Sequence, residues 1–195
     1  DPASVSAGIE KVEAGLGTPR VLVNCAGIGP IGKTVSRGQP HDPELFEKGI
    51  RINLIGTFNC ASQVAARMVT TDTLDDDGAR GVIVNTASVA AFDGQIGQIA
   101  YAASKGGIVA MTLPMARDLA DKGIRVCTIA PGLFLTPLLD GLSQEVQESL
   151  GAQVPFPSRL GQAGEFGSLV CHILDNRMLN AEVIRLDGGI RMAPR

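Results

Sequence analysis

Hydrophobic positions fall into two kinds of run that alternate along the chain. Val21-Leu22-Val23, Val82-Ile83-Val84, Ile124 to Ala130 and Val183-Ile184-Arg185-Leu186 are short and mostly apolar. Gly, Pro, Asn or Asp bounds each of them, which predicts four strands covered on both faces. Between the strands, apolar residues recur at helical spacing. Val5, Ile9, Val12 and Leu16 share one face of a helix that Gly17 closes. Asp42 caps another with Pro43 at its first position, and helical pattern runs from about Glu44 to Val69. Further helices are predicted from about Ile99 to Asp121, in two or three short pieces over about Thr136 to Gln153, and from about Glu165 to Leu174. Gly29 to His41, rich in Gly and Pro, reads as a surface loop, and Asp75-Asp76-Asp77-Gly78 as a solvated acidic turn. Short apolar strands separated by helices predict an α/β fold with a doubly wound parallel sheet, residues 1–195 forming a single domain.

Composition narrows the function. Apolar residues make up 45% and charged residues 19% of the 195, which excludes disorder. A net charge of −3 argues against a surface for nucleic acid or anionic lipid. No apolar run approaches the roughly 18 residues of a membrane helix. Cys25, Cys60, Cys127 and Cys171 have no CxxC spacing, and His41 and His172 are the only histidines, so no metal site is expected. Reduced thiols suit an intracellular, cytoplasmic setting. The chain opens on Asp1-Pro2-Ala3-Ser4 without Met, and these residues already read as a helix in mid-domain. The expectation is the remainder of a longer protein.

Two motifs are decoys. Gly27-Ile28-Gly29-Pro30-Ile31-Gly32 matches G-x-G-x-x-G after a strand. A phosphate loop must open a helix whose first amides face the phosphates, and Gly38, Pro40 and Pro43 oppose a helix there. Ala102-Ala103-Ser104-Lys105-Gly106 resembles a relaxed nucleophile elbow with His172 as base. Ser104, however, lies within a helical pattern where an elbow needs a strand-to-helix turn. A small residue at a helix contact is the better reading.

Tyr101 and Lys105 stand four apart on one helix and share a face. Tyrosine ionises near 10, and a neighbouring ammonium favours the phenolate. Bringing it to about 7 takes roughly 4 kcal/mol of differential stabilisation, much of which one partly dry lysine can supply. Ser88 follows the second strand, at the carboxyl end of the sheet where open α/β sheets bind ligands. Its hydroxyl can bond the oxygen that Tyr101 protonates or deprotonates. A tyrosine at a helix contact beside a solvated lysine remains the competing reading of the bare Y-x-x-x-K.

Asn24-Cys25-Ala26-Gly27 at a strand end, Asn53, Ser88, Tyr101-x-x-x-Lys105, and Pro131-Gly132 followed by Thr136 together resemble the short-chain dehydrogenase/reductase family. Asn85 to Phe92, Ala130 to Leu138, Gln153 to Leu160 and Val183 to Met192 are similar to the branch of that family acting on 3-hydroxyacyl-CoA. The resemblance implies a Rossmann-like sheet, NAD as cofactor and hydride transfer at a secondary alcohol. The substrate would be a small molecule, a 3-hydroxyacyl-CoA or a related alcohol such as a hydroxysteroid. Tyr101 would be the acid/base, and Lys105 would hold the nicotinamide ribose and depress the tyrosine. Ser88 would orient the substrate oxygen, and Asn53 would support a water-mediated proton relay. Asn24, Cys25, Ala26 and Gly27 would line the adenosine side; Pro131, Gly132, Phe134 and Thr136 would border the nicotinamide. A lid from Leu133 to Pro157, with Leu138, Leu139 and Leu142, would cover the substrate, although ordinary helix packing explains those residues equally well. Homotetramers through the helices of about Glu44–Val69 and Ile99–Asp121 and the last strand are implied too, with a mitochondrial-matrix location in a eukaryote.

One departure stands out. The family's glycine-rich phosphate loop and ribose-reading acid belong to an earlier part of the fold, two βαβ units of about 30 residues each. The four strands would then be the fourth to seventh of seven, with the N-terminal βαβ part absent. A non-catalytic structural or binding subunit of the same fold is the alternative that this departure supports.

Overall fold

The β-branched runs pair as their patterning requires. A computed structural model describes residues 1–136, 141 and 143–194. In chain order the elements are α1 (Pro2–Leu16), β1 (Val21–Asn24), a small hairpin of β2 (Val35–Ser36) and β3 (Gln39–Pro40), then α2 (Pro43–Gly49). A π-helical turn (Ile50–Ile55) leads into α3 (Gly56–Met68), followed by β4 (Gly81–Thr86) and α4 (Ile99–Leu119). The chain continues with β5 (Ile124–Pro131), α5 (Gln144–Gly151), α6 (Ala163–Asp175) and β6 (Val183–Leu186). Strands β1, β4, β5 and β6 lie in that order and are all parallel, with Val23 opposite Val84, Val84 opposite Cys127, and Ile129 opposite Ile184.

Alternation along the strands sends side chains to two cores. On one face, Ile83, Ile124 and Val126 pack with Ile9 of α1, Ala61, Val64, Ala65 and Met68 of α3, and Ala116 of α4. On the other, Val82, Val84, Cys127 and Ile129 meet Val170 and Ile173 of α6. Helices thus cover both faces, as expected of a doubly wound sheet. Ile129 has no exposed surface. Replacing it with Ala removes three carbons from a close-packed layer and should cost about 2–5 kcal/mol. Urea unfolding should show the loss as a lower midpoint at unchanged slope; a midpoint within error of the parent would contradict this packing.

Several boundaries differ from the sequence reading. The helix of about Glu44 to Val69 contains the π turn, whose wider winding turns Asn53 fully inward. The Gly29–His41 loop contains the β2–β3 hairpin, whose two-residue strands carry too little patterning to be predicted. Leu16 is 89% exposed and Val12 42%, so only Ile9 of the proposed face is buried in the core. The acidic turn forms ion pairs: Arg177 reaches Asp75 at 3.0 Å and Asp77 at 3.3 Å. Within Thr136 to Gln153 the described residues hold one helix, α5; Leu138, Leu139 and Leu142 lie outside them. Gly123, between α4 and β5, has a φ of 69°, and a Cβ there would stand 2.0 Å from the Gly78 carbonyl oxygen. That turn requires glycine.

Candidate active site

The carboxyl ends of β1, β4, β5 and β6 open onto one edge of the sheet, and most of the candidate residues gather there. β4 ends at Thr86, and Ser88 follows as the cap of a short 3₁₀ turn, its Oγ accepting from the Ala90 amide at 3.1 Å. Tyr101 and Lys105 come from the first turns of α4. Lys105 Nζ donates to the Thr86 carbonyl at 2.7 Å, which ties α4 to the end of β4, and it lies 5.8 Å from the centroid of the Tyr101 ring. Lys105 as a whole is 5% exposed, and burial pushes its pKa down to about 8, with Cys25 acting the other way.

The tyrosine departs from the sequence reading. Burial pushes the Tyr101 phenol up, and its hydrogen bond with the Ser88 side chain only partly offsets this. A lysine four residues along a helix was expected to lower the tyrosine, but here the ammonium is directed at a backbone carbonyl and desolvation dominates. The phenol is consequently the protonated form near neutrality, suited to donating a proton. The Ser88 side chain lies near enough to the Tyr101 phenol to act on it, which sets the two hydroxyls in one neighbourhood.

Asn53 completes the cluster. Its Oδ1 accepts from the Ile28 amide at 2.8 Å, and its Nδ2 donates to the Ile28 carbonyl at 2.9 Å and to Ser104 Oγ at 3.0 Å. These bonds fix the loop after Gly27 beside Lys105. A Cβ on Gly27 would stand 3.2 Å from Asn53 Oδ1 and 3.6 Å from Lys105 Nζ. Glycine therefore keeps the space beside the ammonium open to a ligand. Cys25, Ala26 and Gly27 are exposed. Asn24 acts within the sheet, its Nδ2 donating to Asn85 Oδ1 at 2.9 Å.

This open space next to a buried cation fits the ribose and nicotinamide side of a dinucleotide. Tyr101 and Lys105 would hold that side, with Gly27 beside the ammonium and Cys25 and Ala26 leading away from it along the exposed loop. Residues 27–32 run as irregular chain and open no helix, so the G-x-G-x-x-G match provides no phosphate cradle. Pro131 and Gly132 are half-buried at the end of β5, where the Gly132 amide donates to the Leu186 carbonyl at 2.9 Å. Phe134 packs on Gly161, where a Cβ would stand 2.7 Å from its ring, and lines a small cavity with Leu133, Leu186 and Gly188. Thr136 is exposed.

The Arg185 network carried no signal in the sequence. Arg185 of β6 donates to Asp93 at 2.7 Å, to Asp187 at 2.7 Å and to the Ile190 carbonyl at 2.9 Å, and its guanidinium covers the Phe92 ring. It thereby anchors the loop that follows Ser88, and its hydrogen bond holds the Asp93 carboxyl below the usual range. Ser104 is fully buried inside α4, which removes the elbow reading, and its Oγ donates to the Tyr101 carbonyl at 2.7 Å. Among the described residues no helix is long and apolar enough to cross a membrane.

Comparison with known proteins agrees with this geometry. The sequence profile of the short chain dehydrogenases matches residues 1–147. The chain is 56% identical over 192 residues to the 3-hydroxyacyl-CoA dehydrogenase type-2 of Bos taurus, covering 97% of this chain and 73% of that protein. It is 59% identical over 176 residues to the Homo sapiens protein of the same name, covering 89% of this chain and 67% of that one. The crystal structure of 3-hydroxyacyl-CoA dehydrogenase type-2 from Mycobacterium avium superposes with a TM-score of 0.93 at 42% identity, covering all of this chain and 75% of that one. With a parallel sheet of matching architecture and a family profile over most of its length, the chain belongs to the short-chain dehydrogenase/reductase family of oxidoreductases acting on a hydroxyl.

Proposed function

We propose that the protein interconverts a 3-hydroxyacyl-CoA and the corresponding 3-oxoacyl-CoA with NAD(H), residues 1–195 acting as one dinucleotide-binding domain. The observation that carries this reading is the convergence of the Ser88 and Tyr101 hydroxyls beside the buried Lys105 ammonium. The names of the mammalian relatives support the substrate. When bound, the nicotinamide supplies or accepts the hydride. The chain's own residues handle the oxygen and its proton. In reduction, Tyr101 gives its proton to the carbonyl oxygen as charge develops there, while Ser88 donates a second hydrogen bond to the same atom. Lys105 stabilises the resulting phenolate electrostatically and holds the ribose. Asn53 keeps the loop after Gly27 beside the ammonium, the position a relay water would need. In oxidation the same groups act in reverse. The protein would associate as a homotetramer through the π turn, α3 and α4, where Ile55 and Phe58 are exposed around a shallow apolar depression with Gly107 and Met111.

The titration of this site gives the test. Reduction needs both the Tyr101 proton and the Lys105 charge, and the lysine gives up its proton first, at about 8. With acetoacetyl-CoA and NADH, kcat should therefore hold near neutrality and fall as pH rises through about 8. Alcohol oxidation, which needs the tyrosine as base, should rise with pH. Turnover with a flat reductive profile would contradict the role given to Lys105; no turnover at all would contradict the substrate.

A further inference from the structure

Ser104 lies between two groups of the proposed site and is used by neither the reaction scheme nor the core. It has no exposed surface, nor does Asn53. Serine has one proton to donate, and that proton goes to the Tyr101 carbonyl at 2.7 Å. This leaves the oxygen lone pairs facing Asn53, whose Nδ2 donates to them at 3.0 Å. The other three side-chain and backbone positions of Asn53 are also engaged. Ile28 exchanges two bonds with the amide, at 2.8 and 2.9 Å, and the Thr57 hydroxyl donates to the Asn53 carbonyl at 2.6 Å. An unbroken line of hydrogen bonds, buried at its centre between Asn53 and Ser104, thus runs from the Ile28 backbone, next to the Gly27 cradle, to the Tyr101 backbone.

Resting on the oxidoreductase reading above, we propose that Ser104 is a positioning residue that locks the π turn bearing Asn53 in register with the helix bearing Tyr101 and Lys105. Alanine cannot occupy this place equivalently. It leaves one Nδ2 hydrogen of Asn53 buried without an acceptor, so the amide must rotate or the π turn must move. Both shift the loop beside Lys105. The contacts of the acyl-CoA substrate are not altered, so the loss should appear in kcat and leave the KM for acetoacetyl-CoA alone.

Two readouts separate the outcomes. The first, independent of turnover, is the side-chain amide of Asn53 by ¹⁵N NMR in the full-length protein. In Ser104→Ala one of its two protons should shift upfield and exchange faster. The second is kinetics with acetoacetyl-CoA and NADH. Ser104→Ala should lower kcat about 10-fold with KM within about twofold, and it should cause little further loss in an Asn53→Ala background. Ser104→Thr, which keeps the hydroxyl, should restore the amide signal and most of kcat. An unmoved Asn53 amide overturns the bridge. A moved amide with unchanged kcat, or losses that multiply with those of Asn53→Ala, overturns the positioning role. An inert parent protein whose amide still moves in Ser104→Ala upholds the bridge and overturns the oxidoreductase reading instead.

Discussion

Tyr101→Phe should abolish turnover while leaving the fold and cofactor binding nearly intact. The substitution deletes one oxygen from a half-buried ring and preserves the ring's packing. What disappears is the proton donor whose neutral form burial favours, together with the hydrogen bond to Ser88. General acid–base groups contribute about 10²–10⁴-fold, and here Ser88 is left without its partner as well. The expected loss in kcat is about 10³-fold or more, with the dissociation constant for NADH within a few-fold of the parent. Stopped-flow turnover and fluorescence titration of NADH measure the two quantities separately. Retention of a tenth of the parent activity would assign the proton transfer to another group.

Lys105→Met should weaken both binding and turnover. Methionine fills much of the buried slot, so the helix keeps its seat, but the Thr86 carbonyl loses its donor at 2.7 Å and the site loses its positive charge. A hydrogen bond from a charged donor is worth about 1.5–3 kcal/mol, which corresponds to about 10- to 150-fold weaker cofactor binding. Turnover should fall further, because the phenolate left on Tyr101 after proton donation has no cation beside it. The reductive pH profile should also lose its fall through about 8, since that fall reports the lysine. Titration calorimetry and a pH series on the same variant test both statements. A variant that binds NADH like the parent would place the ribose elsewhere.

How much of this was legible before the structure depends on whether local pattern or distant contact decides each feature. The four sheet strands were legible because β-branched runs bounded by turn residues have few other solutions. The spacing of Tyr101 and Lys105, with Ser88 thirteen residues upstream of the tyrosine, was enough to suggest the chemistry. The π turn at Ile50–Ile55 was not, because the apolar positions continue through it and its wider winding lies in the backbone alone. The β2–β3 hairpin is exposed and too short to impose an alternation. Leu16 satisfies helical periodicity yet faces solvent, since periodicity assigns a face but not what covers it. The direction of the tyrosine shift is not legible in the sequence for a related reason. Sequence spacing brings the ammonium near the ring, but burial and the orientation of Nζ toward Thr86 decide the balance. The anchoring of the Ser88 loop by Arg185 joins residues 92 apart in sequence, beyond any local motif.

Ser104 shows the same distinction at a single residue. Its neighbours in sequence suggested a weak nucleophile motif, and its helical setting argued against that reading. Only the arrangement of α4 against the π turn shows that its hydroxyl connects Asn53 to the Tyr101 backbone.

The most direct test of the central claim is isotope transfer. The purified full-length protein should be given acetoacetyl-CoA with NADH carrying deuterium at the transferring position, and the product analysed by mass spectrometry and NMR. The site described here predicts one deuterium at C3 of 3-hydroxybutyryl-CoA, formed by the parent protein and not by Tyr101→Phe. A product free of deuterium, or equal labelling by both proteins, would contradict hydride transfer at the oxygen held by Ser88 and Tyr101.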